Sequence, residues 1–330
     1  MKAKTLRATI LTVLTVGCLT TMGPTFADGK VTYNPIDETV QIPRVHIGTD
    51  QYEVTMKHEE TGDGLFKFVV TDLSLVSQLT FKDRANPNVS QTLTLTEMLS
   101  EFPSIEVEIL EFLENRQMTF RGIAVNALFD KVYGEGWRDR EEVLFTALDG
   151  YQSSIPVEQF LQYDSFVAYE YADTTKRPSF VLTKDSDGKL IDLGPFWLVW
   201  DNISKPSLQG TVSYGWPYQL ASFELVTFAE RYPNSVPPTN SSDNVQNGFL
   251  ATRVYCMSCH KVKGDGGNKA PDLIQEDLIS TKSDERLKQL ILDREALPEV
   301  SGMVLREEVA NRDQVADDII AYLRAMDAVQ

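Results

Sequence analysis

Apolar residues recur along this chain with two different periods, and the change of period divides it. Near the N-terminus the period is two. Val40, Ile42 and Val45 begin one strand region, Tyr52, Val54 and Met56 alternate in a second, and Phe66, Phe68 and Val70 in a third. Thr61-Gly-Asp-Gly supplies a turn between the last two. Further on, Val143, Phe145 and Ala147 alternate, and Phe166 to Tyr169 and Trp197 to Trp200 also read as strands. Near the C-terminus the period lengthens to that of a helix. Leu250, Val254 and Met257 recur at helical spacing, and Leu287, Leu290 and Ile291 share one side of a predicted helix over 284–293. Val315, Ile319, Tyr322, Leu323 and Met326 form one stripe on a final helix.

Between these regimes lies YPNSVPPTNSSDNV, residues 232–245, which no apolar periodicity crosses. Its polar core, 233–244, reads as a linker. Pro237 and Pro238 stiffen it, and such a tether spans on the order of 20–35 Å. An ordinary surface loop is the alternative reading. The predicted layout is therefore a segment over 1–27, a strand-rich module over 28–90, a middle domain over 91–232, the linker 233–244, and a C-terminal domain over 245–330.

Residues 1–27 have the layout of a secretory signal. Lys2, Lys4 and Arg7 lead into a short apolar stretch over 10–17, and Thr25-Phe26-Ala27 offers small residues for cleavage. The stretch is too short to span a bilayer, and no other apolar run is long enough. The chain is expected to be exported, to the periplasm of a bacterium. Lipid attachment at Cys18 is the weaker alternative, because Thr15 stands where leucine is usual. The net charge of −17 becomes −20 without residues 1–27, which carry three basic residues and no acidic one. A surface this acidic repels nucleic-acid phosphate and anionic lipid, and it favours partners with basic patches, although acidity alone is equally a solubility device.

The candidate chemistry is concentrated in Cys256-Met-Ser-Cys259-His260. Two thiols three positions apart suit addition to the two vinyl groups of one haem, with the following histidine held beneath the iron. A thioredoxin-like redox pair would not need His260. A zinc site would need more ligands, and the only other histidines, His46 and His58, lie far upstream in no zinc spacing. Those two read as structural or exposed rather than as a metal site.

Residues 245–330 resemble a class I cytochrome c along their whole length. The resemblance implies an all-α domain with one covalent haem c tethered by Cys256 and Cys259 and ligated by His260. Gly264, Gly266 and Gly267 mark a loop, and Pro271 follows His260 by eleven residues. In that family such a proline lends its carbonyl to the histidine's other ring nitrogen. Leu273 would pack against the haem. Met303, 43 residues past His260, stands where the family places its distal ligand, although Val304 replaces a frequent proline. Met326 is the rival, but it lies on the final apolar stripe and reads as core.

Residues from about 91 to 232 resemble a shortened molybdopterin-binding domain of the sulfite oxidase type, of mixed α/β fold. The likeness rests on Phe120-Arg-Gly-Ile-Ala, a helical Val125 to Tyr133, and Phe145-Thr-Ala-Leu-Asp-Gly-Tyr. It continues through Ser153-Ser-Ile-Pro, Phe166-Val-Ala-Tyr-Glu and Gly194-Pro-Phe-Trp-Leu-Val. Enzymes of that family hold molybdenum with a cysteine thiolate, and this segment has none, so molybdopterin is not expected. Asp149, Tyr151 and Glu170 read either as a polar site or, preferably, as a turn and a solvated strand end. The fold class is thus multidomain α+β. The predicted function is electron carriage between redox proteins through one haem with His/Met ligation. The alternative is a cytochrome-linked oxidoreductase in which the middle domain acts on a small substrate.

Overall fold

A computed structural model describes residues 32–34, 39–47, 50–60, 66–111, 115–173, 180–183, 190–208, 215–274, 279–293, 304–305 and 309–329. The predicted signal segment and Met303 lie outside the described residues. Strands β1 (Thr32–Asn34), β2 (Thr39–Ile47), β3 (Asp50–Glu60) and β4 (Phe66–Leu75) form an antiparallel sheet in sequence order. Among the described residues its buried hydrophobic side chains are Ile42, Val54 and Met56, three of the positions at which the period of two was legible. His46 and His58 lie on β2 and β3, and their side chains are outside the description.

The chain continues through β5 (Gln78–Asp83), β6 (Ser90–Thr94), helix α1 (Leu95–Glu101), β7 (Ile105–Glu111), β8 (Arg116–Ala124) and α2 (Val125–Tyr133). Thr94 caps α1 and Glu97 reaches back to the Thr94 amide, so two of the helix's orphan donors are satisfied reciprocally. There follow β9 (Glu142–Ala147), β10 (Gln152–Pro156), α3 (Val157–Gln162), β11 (Ser165–Tyr171), β12 (Val181–Thr183), β13 (Leu190–Asp192), β14 (Trp197–Trp200), β15 (Leu220–Val226) and α4 (Phe228–Arg231). One five-stranded sheet has the order β10-β9-β15-β5-β6, and a four-stranded sheet has the order β14-β11-β8-β7. Of their pairings only β15 with β5 is parallel.

Alternation explains which face each strand buries. In β7, Val107 and Ile109 point inward and Glu106 and Glu108 outward. In β14 all four residues are buried, as suits a strand covered on both faces. Aromatic rings join the layers. Phe223 of β15 meets Phe145 of β9 edge-on at 5.0 Å and Phe129 of α2 at 5.6 Å, and Phe120 of β8 meets Trp197 at 5.2 Å. Such edge-to-face pairs contribute about 0.5–1.5 kcal/mol each beyond area burial.

The C-terminal part holds α5 (Asp243–Tyr255), β16 (Lys261–Val262), β17 (Asp265–Gly266), α6 (Asp284–Leu292) and α7 (Arg312–Ala328). The expectation of an all-α domain here is corrected. Strands β16 and β17 make an antiparallel hairpin, and Lys261 also bridges Asp272 in parallel. The cause is local. Lys263 (φ 52°) and Gly264 (φ 88°) take left-handed backbone and reverse the chain. The chain as a whole is strand-rich with several sheets. The mixed α/β expectation for the middle domain also gives way, to largely antiparallel sheets with short helices.

The period along α5 misled in one respect. Leu250 is 55% exposed, and the buried face carries Gly248, Phe249 and Thr252. A Cβ on Gly248 would lie 1.9 Å from the Asp318 carbonyl oxygen, so α5 and α7 cross with their backbones nearly touching. Phe249 packs on Tyr322 at 5.4 Å in the core between them.

Candidate functional site

Helix α5 delivers the cysteine motif. Its last turn hands over to a tight loop in which Thr252 O accepts from the amides of Cys256 and Met257, and Cys256 O from those of Cys259 and His260. Cys256 and His260 therefore stand one turn apart. Met257 points into the core and is fully buried, while both cysteines are free and half-buried. Burial pushes the Cys256 thiol up to about 12, with Cys259 adding to the rise. Burial also raises Cys259. Both thiols are protonated at neutral pH, unlike the low-pKa thiolate of a disulfide exchanger.

The glycine-rich turn and the chain after it close over this loop. Met257 O accepts from Gly267 N at 2.8 Å, Cys259 O from Lys269 N and Ala270 N at 3.1 and 2.9 Å, and Lys261 O from Leu273 N at 2.9 Å. Space for the crossing exists because Gly266 and Gly267 carry no side chains. A Cβ on Gly266, whose φ is 131°, would sit 2.1 Å from His260 O, and one on Gly267 2.1 Å from Ser258 O.

This crossing brings Pro271 to His260. The ring atom Nδ1 lies 2.7 Å from the Pro271 carbonyl oxygen. A carbonyl can only accept, so Nδ1 carries the proton and donates it. The lone pair of the neutral ring is then on Nε2, which is the state a metal requires. Asp272 fixes the carbonyl's position. Its buried carboxylate accepts from the amides of Lys263 at 3.3 Å, Gly264 at 2.7 Å and Ile274 at 3.0 Å. Leu273 is buried in the same core as Met257, Leu287 and Tyr322. Met326, the rival ligand, is 3% exposed within that core, consistent with a packing role. Five of the six predicted site residues are thus brought together, and the sixth, Met303, lies outside the described residues.

Asp149 and Tyr151 also belong here, in a role the sequence did not suggest. Their turn, between β9 and β10, lies against the cysteine loop. Gln152 N donates to Ser258 O at 2.7 Å, and Asn268 N donates to Gly150 O at 2.8 Å. Asp149 Oδ2 pairs with Lys269 Nζ at 2.5 Å. Burial works most strongly against the Lys269 ammonium, but the bond to Asp149, the Asp149 charge and the nearby Tyr218 and Cys259 together raise its pKa. Burial pushes the Tyr151 phenol above its ordinary value, against the bond it makes to Ser258. Glu170 pairs with Arg121 at 2.8 Å, so the three residues form no common polar site.

Arg253 of α5 seals a second contact with the middle domain. It pairs with Glu142 of β9 at 2.9 Å, and its guanidinium lies 4.7 Å from the Phe228 ring centroid and 4.4 Å from that of Tyr232. The stretch read as a tether is held as well. Ser235 is fully buried and its carbonyl accepts from Tyr322 Oη at 2.6 Å, while Asn234 is bonded to Asp265. Sequence reasoning missed Asp272, Arg253 and Lys269. Only the Asp-Gly pair at 149–150 carried a signal, and it read as a turn.

Among the described residues no helix is long and apolar enough to cross a membrane, and no group of three or more His, Cys, Asp or Glu side chains is arranged to hold a metal ion. No protein-family model matches the chain, and no curated protein matches it.

Proposed function

We propose that this protein is an exported c-type cytochrome that carries single electrons between redox protein partners. The observation that carries the reading is the 2.7 Å bond between His260 Nδ1 and the Pro271 carbonyl. It holds the imidazole at a fixed angle, in the one neutral tautomer that offers Nε2 to iron. The donor set fits a covalent haem. Cys256 and Cys259 are free, are presented from one turn of chain beside His260, and are kept as neutral thiols. When bound, haem supplies an iron centre that takes up and returns one electron.

The residues of the chain have distinct tasks in this reading. Cys256 and Cys259 tether the group, and Leu273 and Met257 belong to the apolar core behind the loop. Met303 would supply a further ligand to the iron, a role that rests on its sequence position alone. A thioether there stabilises the ferrous state and raises the potential. A charge of −20 once residues 1–27 are removed suits partners with basic patches, and the layout of that segment supports periplasmic export. The alternative, catalysis in the middle domain, is not favoured by any observation. Asp149, Tyr151 and Glu170 are all engaged in structural contacts.

Expression in a host with haem-maturation machinery tests the reading. The protein is expected to keep haem through a denaturing gel, and C256S with C259S to lose it. The weak long-wavelength sulfur-to-iron band of ferric His/Met haem is expected to vanish in M303A. A wild-type product with no haem stain refutes the proposal.

A further inference from the structure

We propose that Asp149, Gly150 and Tyr151 are positioning residues for the cysteine loop, and that the middle domain is its rigid mount. The inference rests on the haem reading only for the identity of what is carried. The docking itself stands on five observations.

Main-chain bonds join the β9–β10 turn to both halves of the loop, at Ser258 and at Asn268. The packing at Gly150 is close, because a Cβ there would lie 2.9 Å from the Asn268 carbonyl carbon, at a φ of 85°. Lys269 and Asp149 form an ion pair across the junction. Arg253 and Glu142 form a second pair, with side chains only 16% and 12% exposed. Tyr232 and Ser235, upstream of α5, are buried against the core that contains Met257 and Tyr322. Contacts on the loop and on both of its flanks leave it no freedom to swing on residues 233–244.

The functional content is geometric. Electron transfer depends steeply on the distance and angle at which the iron centre meets a partner. A loop bolted to the β-sheet presents that centre in one frame, so the partner reads the middle domain together with the C-terminal part as one surface. A tethered loop would present it in many orientations. The middle domain then has a mechanical task that needs no metal of its own.

The test uses the full chain and four proteins: wild type, G150V, D149K, and D149K combined with K269D. Three quantities are read on each: protease cleavage within 233–244, the haem reduction potential by optical redox titration, and covalent haem by stain. Wild type is expected to resist cleavage. G150V and D149K are expected to be cut at least tenfold faster and to shift in potential, with haem still attached. The double variant is expected to regain resistance and potential, because the pair is restored with reversed sign. If wild type is cut as fast as D149K, or if the double variant is no better than D149K, the mount is refuted. Should G150V fail to fold, the charge-swap pair alone decides. A wild-type chain that resists cleavage but carries no haem leaves the docking intact and sinks the cytochrome reading instead.

Discussion

Gly248 is the position at which a single methyl group tests the C-terminal packing most directly. In G248A the new Cβ would lie 1.9 Å from the Asp318 carbonyl oxygen, 2.5 Å from its carbon and 2.8 Å from Tyr322 Cβ. Two of these atoms are backbone, so no rotamer change relieves the clash. The helices must part by about 1.5 Å, enough to forfeit a large share of the dispersion contacts along the seam. The seam contains Phe249 and Tyr322, both nearly fully buried. Helix propensity works the other way, since alanine is better than glycine in a helix interior by about 1 kcal/mol. Overpacking a tight contact costs about 1–3 kcal/mol, and separation of the seam adds to it. The net expectation is a loss of about 2–3 kcal/mol. Native-state hydrogen exchange is the suitable assay, because a chain with several domains need not unfold in two states. Amides of α5 and α7 that exchange through opening of the seam are expected to speed up by roughly 30- to 150-fold. G136A is the control, because a Cβ at Gly136 meets nothing within 4 Å. Unchanged or stronger protection in G248A refutes the close crossing.

Other expectations follow from the contacts between the parts. E142Q leaves Arg253 largely buried opposite a neutral group and is expected to cost about 3 kcal/mol, while E142Q with R253M costs less; denaturant titration with a double-mutant cycle checks this, and additive losses count against coupling. A fragment beginning at Val245 lacks Tyr232 and Ser235, so it is expected to melt at a lower temperature than one beginning at Val226, and equal melting would mean those contacts contribute nothing. Bonds from Arg138, and from Trp137 despite some burial, hold the Asp130 carboxyl below its ordinary value of 3.8. Its contribution to stability is therefore present above about pH 4 and is lost as pH falls through the depressed value. A carboxyl NMR titration giving a midpoint at or above 3.8 contradicts this.

Local signals in the sequence proved informative and long-range ones did not. The period of two at Ile42, Val54 and Met56 marked buried strand faces, because alternation is a property of one strand. The spacing from His260 to Pro271 is short, and its contact is present in the fold. Leu250 misled because a helix wheel ranks residues by polarity, whereas the α5 surface was decided by a close backbone crossing that only Gly248 permits. The hairpin in the C-terminal part was hidden for a related reason. Its four residues carry no alternating pattern, and the reversal depends on left-handed backbone at Lys263 as well as at Gly264. Asp149 and Lys269 are 120 residues apart, and neither residue type announces a partner at that range.

The one parallel pairing in the five-stranded sheet sets an order of synthesis. Strand β5 ends at Asp83, but its neighbour β15 begins at Leu220. Phe81 and Leu79 stay without their final cover until most of the polypeptide has emerged. Assembly of this sheet is governed by closure of a very long loop, which favours slow, late completion. Until the last third of the chain arrives, the edge of β5 that pairs with β15 stays open to other strands.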